Sequence, residues 1–321
     1  MKVEGSAPGK TILIGEHFVV ENEPAIAVAI GLRAHVMVEE VEEEKIEIIS
    51  EDLGIREVFN EGSKRINSPL YPLYYGIRQL LDNVGIKESI RLKIKSEIPV
   101  AAGMGSSAAV AVASIAAVSR LLGVRLSEEE ISRFAYMCER IVHGKPSGID
   151  NTVATYGGVI AFRRNEGFLK LRGDTSKISL ILADSGIPRN TGNMVMRVLK
   201  LKGKYPSVME PLYHTAGRLA IEAGKAIEEG DFAKLGELMN INHGLLSAIG
   251  VSNLRLEKLV YRAREAGALG SKITGAGGGG FIVALCEKGA EVKIREALKE
   301  ISRRVYVTEV EERGVITRLI D

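Results

Sequence analysis

The chain has 321 residues, 45% hydrophobic and 26% charged, with a formal charge of +2; this is length enough for two domains and gives no broad basic footprint for nucleic acid. Its two cysteines, Cys138 and Cys286, are too few for a disulfide framework, and no apolar run reaches the length of about 18 residues that marks a membrane span. The opening MKVEGSAPGK lacks the apolar core of a signal peptide, so a cytoplasmic protein is expected.

Residues 3–38 read as strand, loop, strand and strand, with Gly15, Glu16 and His17 interrupting the apolar runs. The stretch 26–38 is β-branched and mostly apolar, as a buried or half-buried strand should be. Residues 45–49 and 89–95 alternate as strands with one wet face. Residues 69–84 place Leu73, Ile77, Leu80 and Leu81 at helical spacing. The spacing also predicts a helix over 106–122, whose small side chains permit close packing. Ser127 and Glu130 form a capping box for the next helix, which runs to about residue 142 and buries Ile131, Phe134, Ala135 and Cys138. Further strands are expected at 157–162, 169–171 and 178–184. Helical patterns then occupy 190–201, 208–229, 231–249 and 254–266, before a strand at 281–286, a helix at 290–304 and a terminal strand at 306–311. The composition shift divides the chain near residue 180, into 1–180 and 181–321.

The strongest chemical signal is PVAAGMGSSAA, residues 99–109. Glycines and small residues directly before a helix leave backbone N–H groups open to an anion. Ala101, Ala102, Gly103, Met104, Gly105, Ser106, Ser107 and Ala108 therefore form a candidate phosphate cradle, and a serine hydroxyl there can reach a phosphate-bound Mg²⁺. The plain alternative is a tight turn that caps the helix. The segment lacks the Gly-Lys-Ser/Thr ending of a P-loop.

Glu139 lies late in its helix, where the dipole disfavours negative charge unless a cation is near; otherwise it is solvated surface. In HGKPSGID, the Pro146–Ser147–Gly148 turn presents Asp150 either as a catalytic carboxylate for a substrate hydroxyl or as a helix cap. Lys10 in SAPGKTILIGEH can offset negative charge during transfer, and Glu16 and His17 either bind a polar substrate or form a satisfied buried pair. His143 belongs to no metal-ligand spacing. The run Gly275–Gly280 in KITGAGGGGF can approach substrate and phosphates closely, through Gly277 and Gly278 among others. In SGIPRNTG, Arg189 and Thr191 bind an anionic group or simply start an exposed helix.

SAPGKTILIGEH, PVAAGMGSSAA and KITGAGGGGF, in this order, resemble the three motifs of the GHMP small-molecule kinases, and the resemblance spans nearly the whole chain. Within that family, GEHFVV, HGKPSGIDN and SGIPRNTG look most like the mevalonate kinases. The resemblance implies an α+β GHMP kinase fold: an N-terminal ATP-binding domain related to ribosomal protein S5 domain 2, a C-terminal ferredoxin-like domain, and an active site in the cleft between them. It implies transfer of the γ-phosphate of ATP to the 5-hydroxyl of mevalonate, a step of isoprenoid biosynthesis, with a homodimer as one open assembly state. Mapped onto this chain, it makes Asp150 the catalytic aspartate with Lys10 beside it, and Ser107 and Glu139 the Mg²⁺ ligands. Glu16, His17, Arg189, Thr191, Gly277 and Gly278 then fall on the substrate side. ENEP after FVV departs from a glycine frequent in the family, and Lys145 replaces a commonly uncharged residue. Kinases of the same family acting on phosphomevalonate, homoserine or a sugar are the alternative, and a nucleotide-binding module without catalysis is the alternative of another class.

Overall fold

The computed structural model describes the chain except residues 43, 44, 88, 100, 101, 144, 145 and 321 and the side chain of residue 143. It is an α+β structure built on two sheets. The first sheet has the order β12-β1-β2-β5-β3-β4, with β6 on β2 and β7 on β6. Its long central pair is β1 (Lys2–Ile14) and β2 (Ala25–Glu40). These strands replace the three expected over 3–38, because the polar letters at Lys10 and Thr11 stay inside β1 rather than ending it. The chain continues through β3 (Ile46–Ser50), β4 (Ile55–Phe59), β5 (Ile90–Ser96), β6 (Val159–Arg163) and β7 (Gly167–Leu171). Pairing is antiparallel except between β3 and β5.

Four helices accompany this sheet: α1 (Tyr71–Val84), α2 (Ser106–Leu121), α3 (Glu128–His143) and α4 (Ile149–Tyr156). The alanine-rich α2 lies against β1 and β2 and is buried on almost every side. The capping box of α3 is formed as expected. Glu130 N donates to Ser127 Oγ at 3.2 Å, and Ser127 N donates back to the Glu130 carboxylate at 2.9 Å. The segment 146–148 leads directly into α4, whose cap is Gly148; Asp150 stands in the first turn of that helix and is not itself its cap.

The second sheet runs β11-β8-β10-β9, from β8 (Ile178–Asp184), β9 (Gly270–Ile273), β10 (Phe281–Glu287) and β11 (Val305–Thr308). β8 and β10 are apolar on both faces. Ile181, Ala183, Ile282 and Ala284 join one buried cluster, while Leu180, Leu182, Phe281 and Val283 join the core shared with the first sheet. The helices here are α5 (Thr191–Lys204), α6 (Pro206–Glu229), α7 (Phe232–Ala248), α8 (Leu254–Glu265) and α9 (Glu291–Lys299). α9 stops before the predicted residue 304. β11 is not terminal either: the chain returns as β12 (Ile316–Ile320), which pairs with β1. Arg33 secures that return, since its guanidinium donates to Ser6 Oγ, Arg313 O and Gly314 O and pairs with Glu311. No helix among the described residues is long and apolar enough to cross a membrane.

Candidate active site

β1 positions the first functional side chain. Lys10 sits among buried apolar neighbours, and its own N–H donates to Met104 O at 2.8 Å, which ties the strand to the glycine loop. Gly105 caps α2 at φ 70°. That left-handed conformation favours glycine, and an added Cβ would meet the Lys10 stem at 3.0 Å. The first helical bond of α2 runs from Ala109 N to Gly105 O, and no side chain caps this end. The N–H groups of Ser106, Ser107 and Ala108 are thus the orphan donors of a helix N-terminus, which carries a partial positive charge.

Lys10 Nζ pairs with Asp150 Oδ1 at 2.9 Å, with the lysine side chain 7% exposed and the aspartate 29%. Glu139 lies close to both members of this pair. Its carboxyl accepts from Ser107 Oγ at 3.4 Å and is buried. Burial, and secondly the charge of Asp150, push its pKa up to about 8, against a smaller downward pull from Lys10. The sequence left Glu139 open between a metal-side carboxylate and solvated surface; the structure removes the surface reading.

Gly103, Gly105, Ser106, Ser107, Glu139, Asp150 and Arg189 all line one cavity of about 340 Å³. Arg189 arrives from the second half of the chain, between β8 and α5, and lies against the glycine loops. A Cβ on Gly103 would fall 1.9 Å from its guanidinium, and one on Gly275 2.6 Å from it. The same cavity is also lined by an apolar set, Leu53, Pro69, Leu70, Leu73, Ile94 and Val110, and by Asp52, which accepts from Ser96 N at 2.7 Å. Sequence reasoning missed this apolar wall. Leu73 was legible as a helix stripe, but periodicity says that a face is apolar, not that it borders a space.

The remaining candidates are placed differently. Glu16 is buried, with one carboxylate oxygen held by Lys272 and the other accepting from Asn242 Nδ2 at 3.2 Å. Burial outweighs the mutual attraction in each partner, raising the pKa of Glu16 and lowering that of Lys272. His17 Nε2 donates to Ala276 O at 2.8 Å, and burial lowers its pKa. Glu16 and His17 are thus both buried and satisfied, but each with partners from the second half of the chain rather than as a pair with one another. Gly277 and Gly278 face protein on their open side. A Cβ there would strike Val251 O at 2.3 Å or Met194 Sδ at 2.9 Å, and Gly278 N donates to Val251 O. Thr191 begins α5 on the exposed surface and is not among the residues lining the cavity. Ala101 and Lys145 lie outside the described residues, as does the His143 side chain.

No group of three or more His, Cys, Asp or Glu side chains able to hold a metal occurs among the described residues. The Glu139 carboxylate and Ser107 hydroxyl nonetheless suit Mg²⁺. Both are hard oxygen donors, and Mg²⁺ is usually held by one or two carboxylates with the substrate's phosphates completing its shell. A buried carboxyl held up by a neighbouring negative charge is also one that a cation would return to its ionised form.

Residues 73–158 match the family model described as GHMP kinases N terminal domain, and residues 224–303 that described as GHMP kinases C terminal. Over 98% of this chain and 98% of the relative, the sequence is 40% identical to the mevalonate kinase of Thermococcus sibiricus. It is 39% identical to that of Aeropyrum pernix over 96% of each. Among solved structures, L. major mevalonate kinase in complex with R-mevalonate superposes with a TM-score of 0.85 at 30% identity, covering 97% of this chain and 96% of that one.

Proposed function

The chain belongs to the GHMP kinases, and from that premise we propose that it transfers the γ-phosphate of ATP to the 5-hydroxyl of mevalonate, giving 5-phosphomevalonate and ADP. The observation that carries the site reading is the meeting, in one cavity, of an uncapped helix N-terminus with two acidic side chains, one of which is paired to the buried Lys10. Phosphoryl transfer asks a protein for positioning and charge stabilisation rather than covalent chemistry, and these groups supply both.

The triphosphate lies along residues 103–107, held by the N–H groups at the start of α2. The apolar wall at Leu70, Leu73 and Ile94 receives the base. Asp150 orients the acceptor hydroxyl and takes its proton, and Lys10, 2.9 Å from that carboxylate, offsets charge on the group in flight. Glu139 and Ser107 would hold Mg²⁺, which would supply neutralisation of charge on the phosphate oxygens. Arg189 brings a fixed positive charge to the same cavity from the second half of the chain. His17 and Thr191 lie on the acceptor side, while Glu16, Gly277 and Gly278 shape that side without reaching into it. With the chain divided near residue 180, apart from the return of β12 to the first sheet, the nucleotide belongs to the first sheet and its helices and the acceptor to the seam with the second. The enzyme works in the cytoplasm, in isoprenoid and hence lipid biosynthesis, and sedimentation separates a homodimer from a monomer.

The test is ATP consumption by the purified protein with mevalonate, phosphomevalonate, homoserine and galactose, and then product identification. Turnover confined to mevalonate supports the reading. Turnover on another of the four, with mevalonate inert, overturns it.

A further inference from the structure

Lys272 belongs to no part of the chemistry above, yet it is fully buried in the middle of β9. Its ammonium donates to the Glu16 carboxylate, to Ile12 O at 3.3 Å and to Ile273 O. An ammonium has three donors, and here one binds Ile12 near the end of β1 and another binds Glu16 just past it, some 260 residues earlier in the chain. Beside it, the Thr11 and Thr274 hydroxyls are in contact at 2.9 Å, and Ile12 N donates to Thr274 Oγ1 at 3.3 Å. The end of β1 is therefore sewn to the segment 272–276.

The turn that leaves β1 is strained. His17 has φ 64° and ψ −44°, and Phe18 N donates to Glu16 O at 2.8 Å. An i to i+2 bond around a residue of positive φ is the rare, unfavourable hand of the γ-turn. A non-glycine residue keeps such a conformation only when its surroundings over-determine it, and such positions cluster at functional sites. Here both sides of the turn are anchored. Glu16 is gripped by Lys272 and Asn242, and the His17 ring is fixed by Ala276 O. A neutral imidazole donating from Nε2 keeps Nδ1 as an acceptor, aimed by the turn.

We propose that Lys272 is a positioning residue: through Glu16 and Ile12 it holds the strained turn at His17, and so fixes the direction of the His17 ring on the acceptor side of the site. The proposal rests on the reading of His17 as an acceptor-side residue. Glu16 is then a counter-ion and handle rather than a substrate contact, because both of its oxygens are used within the protein. Lys272 acts from behind the site and touches no substrate.

The test compares the wild type with K272M and with the double variant E16L/K272M. The single variant leaves the Glu16 carboxylate buried without its cation and is expected to lose stability. The double variant removes both charges together, and exchanging a buried pair for apolar residues is often neutral or stabilising. The double variant is therefore expected to melt near the wild type yet to show an acceptor KM raised by about tenfold or more, with the ATP KM within about twofold. A merely structural pair predicts instead that the acceptor KM recovers along with stability, and that result overturns the proposal.

A second readout is independent of the acceptor. The chain has five histidines, so the imidazole signals of histidine-labelled protein can be assigned with H17N. A changed His17 signal in the double variant supports the proposal, and an unchanged one overturns it whatever the kinetics show. Absence of wild-type turnover on mevalonate would defeat the substrate reading alone, because the His17 signal still decides this one.

Discussion

Replacing Asp150 with asparagine keeps the shape of the side chain and removes its charge and its capacity to accept a proton. At 2.9 Å and an effective dielectric of about 20, the attraction between Lys10 and Asp150 is about 6 kcal/mol before desolvation is counted. Breaking a buried pair from one side costs about 3–5 kcal/mol. With Asp150 29% exposed and Glu139 left nearby as a second acid for Lys10, the lower end of that range applies, so D150N should fold. Loss of a positioned general base lowers kcat by about 10²- to 10⁴-fold. ATP binding should not weaken. The charge of Asp150 is one of the causes that hold the Glu139 carboxyl up, so its removal makes Glu139 easier to ionise and leaves the Mg·ATP affinity unchanged or tighter. Steady-state kinetics with calorimetric titration of Mg·ATP separate the two effects. A purified D150N enzyme with near wild-type kcat would refute the assignment, and so would an equal loss in kcat and nucleotide affinity.

E139Q should weaken ATP binding about tenfold or more in the presence of Mg²⁺ and little in its absence, which fluorescence titration with and without the metal can read. The Glu139 pKa, raised to about 8 in the fold from a usual 4.5, means that the folded protein disfavours the charged form. Its contribution to stability is full below pH 4.5 and lost as pH rises through 8, so ligand-free E139Q should outlast the ligand-free wild type at pH 9 in urea denaturation. The buried His17 and His243 have pKa values below the usual 6.5, lowered first by burial. Folding therefore favours their neutral forms, and urea midpoints should fall as pH drops below 6.5, less steeply in H243N; equal slopes would contradict this. R33M should free the returning C-terminal segment, giving early proteolytic cuts beyond residue 305 and a stability loss of about 3 kcal/mol, whereas uncut protein of normal stability would show that Arg33 does not secure it.

The elements most legible in the sequence were those with local causes. The capping box at Ser127 and the helix over 106–122 depend on neighbours three or four residues away, and both stand where the pattern puts them. The parts that were not legible depend on distant partners. β9 carries a lysine at its centre, which reads as a solvated loop until Glu16 is brought to it across the chain. α4 is eight residues long and sits behind a Pro-Ser-Gly turn, too short for periodicity to show. β12 shows little burial of its own and is fixed by its pairing with β1 and by Arg33. In the site, Lys10, Asp150, Glu139 and Ser107 were named from sequence and meet in space. The apolar wall was not, and neither was the reach of Arg189 onto Gly103, because nothing in a linear pattern sets one loop over another.

The central claim is that the uncapped start of α2 grips a triphosphate beside Asp150 and Lys10. A crystal structure with Mg²⁺, a non-hydrolysable ATP analogue and mevalonate tests it most directly. The account predicts the β- and γ-phosphates on the amides of residues 103–107, Mg²⁺ touching Glu139 and Ser107, and the 5-hydroxyl within hydrogen-bonding distance of Asp150. Phosphates bound elsewhere, with the 5-hydroxyl remote from Asp150 in a fully occupied complex, would contradict it.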